Sequence, residues 1–227
     1  MDEVGEYTLQ IMRLAGWYNT WLFSTIEPYL GKEILEVGAG IGNFTALLAE
    51  KGKVTATDVN PSYVTDLKSR LRGVNVGFGD VEKGNFFFKN ALFDTIICFN
   101  VLEHIKNDQK ALKNIYSLLK PSGKLVLLVP AHRILYSSFD RNLGHFRRYD
   151  KKEVTDMLRT SGFKTVSGKF LNWWAAIGWL IFLKLTGWQK IPSSEVGIFN
   201  SLGKIFLWPE KYVAPPFGLS VLAIAQK

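Results

Sequence analysis

The stretch ILEVGAGIGNFT at residues 34–45 decides the fold. An apolar run ends in glycines at positions 38, 40 and 42, and a helix-forming segment at residues 43–50 follows it. A strand, a glycine turn and a helix in this order place backbone N–H groups and a helix N-terminus at a bound ligand. The spacing differs from the dinucleotide fingerprint G-x-G-x-x-G, because Asn43 occupies its sixth position.

Three acids at the predicted strands narrow the choice of ligand. Glu36 stands inside the first strand, where a carboxylate would repel a pyrophosphate but would suit a cationic ligand with an amino group. Asp58 ends the second strand and Asp80 follows the third, where they can accept hydrogen bonds from ribose hydroxyls and from an adenine amino group. S-Adenosylmethionine carries an ammonium, a carboxylate and a sulfonium but no phosphate, so it fits this set.

The order of strands and helices predicts the fold class. They alternate from residue 33 to residue 168, which indicates an α/β fold with a parallel sheet covered by helices on both faces. The predicted strands are 33–37, 53–58, 74–79, 93–99, 124–129, 163–168 and 219–226, and the main predicted helices are 6–30, 43–50, 61–71, 103–119 and 151–161.

Several motifs together resemble one enzyme family. They are ILEVGAGIGNFT at 34–45, Thr57-Asp58, Gly79-Asp80, FDTIICFNVLEHI at 93–105 and LLKPSGKLVLLVP at 118–130. This set resembles the class I S-adenosylmethionine-dependent methyltransferases, and most of all the type 11-like branch that acts on small molecules and lipids. The resemblance implies a Rossmann-like, seven-stranded sheet whose last strand is antiparallel and lies between the fifth and sixth. It also implies methyl transfer, with S-adenosylhomocysteine as the product.

The resemblance also assigns the cofactor-binding residues by position. The glycine loop would line the methionine moiety with Glu36 shaping its pocket, Asp58 would bind the ribose, and the next residue would pack on the adenine. Residues 80 and 81 would meet the adenine edge, and residue 100 would face the methionine portion. The full set is Glu36, Gly38, Ala39, Gly40, Gly42, Asp58, Val59, Asp80, Val81 and Asn100.

A long basic connection after the fifth strand supplies the catalytic and substrate-binding candidates. Residues 131–152 hold six basic residues against two acidic ones, and long loops at this edge are often functional. Arg133, Arg147 and Arg148 could grip a phosphate or carboxylate. The alternative is a solvated loop in which these arginines pair with local acids.

The chain has three histidines, and each is a candidate for the general base. His145 is the first choice and His132 the second, while Tyr149 could donate a hydrogen bond to the acceptor. His104, after the fourth strand, either lines the pocket or only packs at a helix start. A base is needed only if the acceptor is a hydroxyl, a phenol, an ammonium or a carbon acid.

Composition bounds the partners and the compartment. The 227 residues carry a net charge of +8, which favours an anionic partner, and the single cysteine and three histidines predict no metal site. The N-terminus has no apolar leader, so we expect a cytoplasmic protein or one peripheral to the inner face of a membrane. Asn100-Val101-Leu102-Glu103 replaces the (Asp/Asn)-Pro-Pro-(Tyr/Phe) motif of amine-methylating nucleobase enzymes, which disfavours nucleic acid as the substrate.

The domain plan has three parts. We expect an N-terminal cap helix at 1–30, a methyltransferase domain at 31–170 plus 217–227, and an apolar helical insertion at 171–216. Residues 170–185 contain 13 hydrophobic residues of 16, which is short for a bilayer span and rich in tryptophan. The insertion is therefore predicted to be a hairpin that contacts a membrane, a lid over the pocket or a dimer interface.

The expected acceptor is amphipathic and anionic, such as a lipid or a lipid-linked saccharide. Two alternatives remain. One is a methyltransferase for a soluble small metabolite, with the insertion as its lid. The other is a scaffold that binds the cofactor without catalysis.

Overall fold

The computed structural model describes residues 3–180, residue 203 and residues 206–227. Eight strands form one sheet in the order β4-β3-β2-β1-β5-β6-β8-β7. Their bounds are β1 Glu33–Val37, β2 Lys53–Asp58, β3 Asn75–Asp80, β4 Asn85–Phe86, β5 Phe93–Phe99, β6 Leu119–Pro130, β7 Thr165–Leu171 and β8 Ser220–Gln226. The α/β fold class is confirmed.

The last strand runs against its neighbours. β8 lies between β6 and β7 and is antiparallel to both, with seven paired residues on each side. The strand count is eight rather than the expected seven, because β4 adds a two-residue antiparallel edge to β3. A pairing this short leaves no alternating pattern in the sequence to predict it.

Helices cover both faces of the sheet. The helices are α1 Glu3–Leu14, α2 Gly16–Ile26, α3 Thr45–Ala49, α4 Pro61–Arg70, α5 Asp108–Leu118, α6 Ser138–Asn142, α7 Lys151–Thr160 and α8 Trp173–Gly178. One core packs α5 and α7 on residues such as Leu35, Ile96 and Leu127. The other packs α1, α2, α3 and α4 on residues such as Ile34, Ile97 and Val126. Neighbouring strand residues thus point into opposite cores, as a doubly covered sheet requires.

The N-terminal segment is two helices rather than one. α1 ends at Leu14 and α2 begins at Gly16, because Ala15 leaves the helical conformation at ψ 52°. A 3-10 helix at Glu27–Tyr29 completes the segment. α1 reaches the glycine loop, because Asn43 Nδ2 donates to the Leu9 carbonyl at 3.2 Å.

The helix predicted at 103–119 begins later. A 3-10 helix at Leu102–His104 follows β5, and α5 starts at Asp108 with Asn107 accepting a hydrogen bond from the Lys110 N–H. Residues 119–123 belong to the long strand β6. Two side chains of the 3-10 helix, Glu103 and His104, are thereby placed at the carboxyl edge of the sheet.

The described part of the insertion is anchored by a buried acid. Glu210 accepts hydrogen bonds at 2.9 Å from the backbone N–H groups of Asn172 and Trp173, at the start of α8. Residues 181–202 and 204–205, which make up more than half of the predicted insertion at 171–216, lie outside the described residues. Within the described ranges, no helix has both the length and the hydropathy needed to cross a bilayer.

Candidate active site

The glycine loop needs glycine for conformation and for space. Gly38, Gly40 and Gly42 have φ of +71°, +54° and +83°, a region that L side chains rarely adopt. A Cβ added to Gly38 would collide with the Val101 side chain, and one added to Gly42 would lie 2.6 Å from Leu67 Cδ2. The loop can therefore bring its backbone close to a ligand.

Glu36 is buried beneath this loop without a cationic partner in the described residues. Only 5% of it is exposed, and its Oε2 accepts a hydrogen bond at 2.6 Å from Thr45 Oγ1. Burial raises its pKa to about 7, and the nearby Asp58 charge adds to the rise. A bound ammonium group would stabilise the ionised carboxylate.

Asp58 links the end of β2 to the glycine loop. Its Oδ2 accepts from the Gly40 N–H and its Oδ1 from the Asn60 N–H, both at 2.8 Å. Burial raises its pKa, although both hydrogen bonds oppose the rise. Val59, the next residue, is 58% exposed, which suits an apolar contact with a flat ring.

The third-strand residues lie at the same edge. Asp80 ends β3, and its Oδ1 accepts from the Lys83 N–H at 2.9 Å. Val81 is buried in the core rather than facing a ligand, so only its backbone could meet an adenine. Asn100 follows β5 with φ +52° and is exposed.

These residues fit S-adenosylmethionine. The buried acid without a cation, the loop that only glycine can form and the exposed Val59 match its ammonium, its methionine chain and its adenine. The carboxyl ends of β1, β2, β3 and β5 bring them to one edge of the sheet, where ligands bind in open α/β folds.

The three arginines expected to bind substrate are paired with acids. Arg147 Nη1 donates to Asp108 Oδ2 at 2.6 Å, and Arg133 pairs with Glu153. Arg148 is 2% exposed, and its Nε donates to Asp140 Oδ1 at 2.8 Å. The expectation that Arg148 grips the substrate is therefore wrong, because its charge is buried and used inside the fold.

Tyr149 and His132 are also engaged inside the fold. Tyr149 is fully buried and its hydroxyl contacts the Leu102 carbonyl and Asp108 Oδ2, each at 3.1 Å. Burial raises its pKa, so it keeps its proton, but the hydroxyl is inaccessible and already bonded inside the fold. The expectation that it donates to an acceptor is therefore wrong. His132, at φ +60°, stacks on Phe170 with ring centroids 4.8 Å apart.

His145 belongs to a buried charged network. Its Nδ1 lies 3.0 Å from Asp140 Oδ1, and the Arg148 guanidinium contacts the same oxygen. Burial alone would raise the Asp140 pKa, but the hydrogen bonds and charge of these partners lower it. Asp140 also accepts from the Ser137 N–H and is fully buried.

The two remaining members of the site are Glu103 and His104. The rings of His104 and His145 are perpendicular, with centroids 4.7 Å apart. Glu103 Oε1 lies 3.9 Å from His145 Nε2. Glu103 is fully buried, and burial raises its pKa to about 7.

Comparison with known proteins decides the family. A family model described as a methyltransferase domain matches residues 13–168. The chain belongs to this methyltransferase family. The expected class I fold and the use of S-adenosylmethionine as methyl donor are thereby confirmed.

The names of individual relatives differ in the atom that is methylated. This chain is 30% identical over 176 residues to a ubiquinone biosynthesis O-methyltransferase of Coxiella burnetii, and the match covers 71% of the chain and 69% of that protein. It is 28% identical over 124 residues to a ubiquinone/menaquinone biosynthesis C-methyltransferase of Haemophilus ducreyi, which covers 50% of the chain and 48% of the relative. Two polyketide synthases match over only 5% and 7% of their length.

A solved structure shares the fold. A SAM-dependent methyltransferase from Archaeoglobus fulgidus superposes with a TM-score of 0.60 at 20% identity, covering 92% of this chain and 94% of that one.

Two further buried acids lie beside the predicted histidines and were not among the candidates from the sequence. Glu103 Oε1 lies 3.9 Å from His145 Nε2, Asp140 Oδ1 lies 3.0 Å from His145 Nδ1, and both acids are fully buried. The signal for Glu103 is an acid directly before His104 in the turn after an apolar strand, and for Asp140 it is an acid five residues before His145 in the basic loop.

Proposed function

We propose that the methyltransferase transfers the methyl group of S-adenosylmethionine to an amphipathic acceptor, a lipid or a lipid-linked saccharide. The supporting observation is an exposed apolar surface, here named the apolar platform. It consists of Ile134, Ile177, Leu180, Phe206, Trp208 and Phe217, which are 37–75% exposed. Exposed apolar patches mark sites for ligands, membranes or partners.

Aromatic contacts join the elements of the platform. The Trp173 ring makes edge contacts with Phe206 and Phe217 at 6.2 and 6.4 Å between centroids. Trp179 Nε1 donates to the Leu135 carbonyl at 3.1 Å, which ties α8 to the turn that carries Ile134. The described insertion thus packs on the connection that follows β6.

Trp179, which lies between the platform residues Ile177 and Leu180 in the chain, touches the buried network of Arg148, Asp140 and His145. The Arg148 guanidinium lies over the Trp179 ring at 4.2 Å, and Phe139 meets the same ring edge-on. Arg148 in turn holds Asp140 and, through it, His145. An acceptor with an apolar body on the platform would have its polar end near this network.

Methyl transfer from a sulfonium requires mainly that the protein align the acceptor with the donor methyl group. The bound cofactor supplies a methyl group already activated on a sulfonium. Glu36 and Asp58 would hold the donor, and exclusion of water with correct alignment supplies the larger share of the rate. His145 and His104, whose ring centroids are 4.7 Å apart, carry imidazoles that could accept a proton from an acceptor hydroxyl.

Support for an anionic group on the acceptor is the net charge of +8. The support does not come from the three arginines of the basic loop, because each is paired with an acid. They are Arg133, Arg147 and Arg148. The names of the two ubiquinone-pathway relatives are consistent with an acceptor made in that kind of pathway, but one is an O- and the other a C-methyltransferase.

The test uses S-adenosylmethionine with a labelled methyl group. The protein is incubated with a cell extract, and the products are divided between organic and aqueous phases, with Asp58→Asn as the control. Label in the organic phase above the control supports the proposal. Label confined to the aqueous phase would assign a soluble metabolite and make the platform a lid, and no label above the control would favour a non-catalytic scaffold.

A further inference from the structure

Glu103, His104 and His145 form a compact cluster whose chemistry methyl transfer does not itself require. Each offers one ligand atom, and these atoms all lie within 4.8 Å of one another. The backbone N–H of Phe146 donates to the Glu103 carbonyl at 2.8 Å, which holds the loop of His145 against the turn after β5. We propose that this cluster binds a divalent transition-metal ion, with Zn²⁺ as the first candidate.

A buried carboxylate without partners points to an ion. Glu103 is 0% exposed, and neither carboxylate oxygen finds a hydrogen-bond partner among the described residues. Such a group is costly to bury, and its presence needs a reason. Its Oε1 lies 3.9 Å from His145 Nε2, too far for a hydrogen bond. Two ligands on bonds of about 2.1 Å at a tetrahedral angle are about 3.4 Å apart. Binding would therefore draw Glu103 Oε1 and His145 Nε2 together by about 0.5 Å, and any pair of ligand atoms near the 4.8 Å limit by more.

His145 is oriented as a metal ligand. Its Nδ1 faces Asp140 Oδ1 at 3.0 Å, so a proton on Nδ1 leaves the lone pair of Nε2 directed toward Glu103. Metal-binding histidines commonly donate their other ring N–H to a carboxylate in this way. Asp140 is itself fixed by the Ser137 N–H and by Arg148 Nε.

The donor set selects the class of ion. Two imidazole nitrogens and one carboxylate oxygen suit Zn²⁺ and other first-row dications, and three protein ligands leave coordination positions open. Glu103 lies three residues after Asn100, at the edge where donor and acceptor meet. An open position would therefore be available to an acceptor oxygen. That use rests on the proposed function, whereas ion binding by the cluster does not.

The test measures binding of Zn²⁺ and Co²⁺ alone. Metal-free full-length protein is titrated without acceptor, the ions that remain after desalting are counted, and the visible absorption of bound Co²⁺ is recorded. We expect one ion per chain, and binding weaker by about 100-fold or more in Glu103→Gln and in His145→Asn. The control is His132→Gln, which removes the one histidine outside the cluster and should bind like the wild type.

Two results would overturn the site. One is wild-type protein that retains no ion, and the other is unchanged affinity in both variants. Retained binding of S-adenosylhomocysteine shows that a variant is folded. If a variant does not fold, the number of ions bound by the wild type and its Co²⁺ spectrum test the site. Failure to label lipids in the methyl-transfer experiment would leave this result untouched, so the two proposals fail separately.

Discussion

The carboxylate of Asp58 accepts a hydrogen bond at 2.8 Å from the backbone N–H of Gly40, eighteen residues earlier in the chain. The side chain expected to bind the ribose thus also fixes the loop expected to bind the methionine moiety. Both of these expected cofactor contacts would therefore depend on one carboxylate.

Asp58→Asn should weaken binding of S-adenosylhomocysteine by about 10–100-fold. The amide oxygen can still accept from one of the two backbone N–H groups, Gly40 or Asn60, but the NH2 group cannot accept from the other. The charge-assisted bonds expected to the two ribose hydroxyls are also lost. Isothermal titration calorimetry measures the change. The control is Asp66→Asn, which removes an exposed acid paired with Arg70. Equal affinities of Asp58→Asn and wild type would remove Asp58 from the cofactor site.

Gly38→Ala should destabilise the protein more than Gly73→Ala. Both glycines have positive φ, at +71° and +81°, so both substitutions cost about 1 kcal/mol or more in backbone strain. Only at Gly38 does the new Cβ also collide with Val101, whereas nothing lies within 4 Å at Gly73. Overpacking adds about 1–3 kcal/mol.

Urea unfolding measures this difference, and a double variant isolates its cause. Adding Val101→Ala to Gly38→Ala should recover part of the loss, because it removes the colliding methyl groups. Equal losses at the two glycines would contradict the steric argument.

Stability should fall between pH about 4.5 and pH about 7 through Glu36. Burial raises the pKa of this carboxyl from 4.5 to about 7, so in that window the folded state keeps a proton that the unfolded state has lost. The free energy of unfolding therefore decreases as pH rises through it. Glu36→Gln has nothing to titrate, and its stability should lack this component. Urea unfolding across this pH range gives the difference, and a constant gap between the two proteins would be inconsistent with the raised pKa.

Arg148→Met should destabilise the protein by about 3–5 kcal/mol, because the buried Asp140 carboxylate loses its guanidinium partner and keeps only the contacts with His145 and Ser137. The side chains of Arg148 and Asp140 are 1% and 0% exposed. Arg133→Met is the matched control, since its side chain is 66% exposed and its pairing with Glu153 is worth about 0–1 kcal/mol. Chemical denaturation compares the two. Similar small losses in both would mean that the buried network contributes little.

The apolar platform should bind anionic liposomes at low salt. Trp208 and Ile134 are 61% and 75% exposed, and burying such a side chain in a lipid interface is worth more than 1 kcal/mol. We expect Ile134→Asn with Trp208→Asn to reduce co-sedimentation by about tenfold. Leu14→Asn is the control, because Leu14 is 67% exposed on α1, outside the platform. If the wild type stays in the supernatant, the membrane hypothesis is wrong.

The sheet could be predicted from the sequence where each strand carries its own apolar signal. Strands 33–37, 53–58 and 93–99 are found at their predicted bounds. The run at 93–99 is near-continuously apolar, as expected of a central parallel strand. The other two also carry polar residues and are bounded by Gly31, Gly38 and Gly52. The two-residue strand β4 and the break at Ala15 carry no such signal, since a partner strand and local packing produce them.

The cofactor loop was predictable for the same local reason, whereas the second half of the site was not. The positive φ at position 38 requires glycine, and the glycine spacing that signals this loop lies within a few residues of the sequence. The pairing of Arg148 with Asp140 depends on how their loop folds onto itself. The proximity of His145 to Glu103 depends on how the same loop packs against a turn that lies 42 residues earlier in the chain. The sequence shows that these side chains are charged or titratable. Only the fold shows which of them pair with one another inside the protein.

The position of β8 between β6 and β7 sets the order in which the protein can be completed during synthesis. Among the described residues β7 pairs with β8 alone, and β7 therefore leaves the ribosome before the strand with which it pairs. Sheet formation in this half must wait for residues 220–226, and deleting those seven residues would remove β8 and leave β7 without its partner strand.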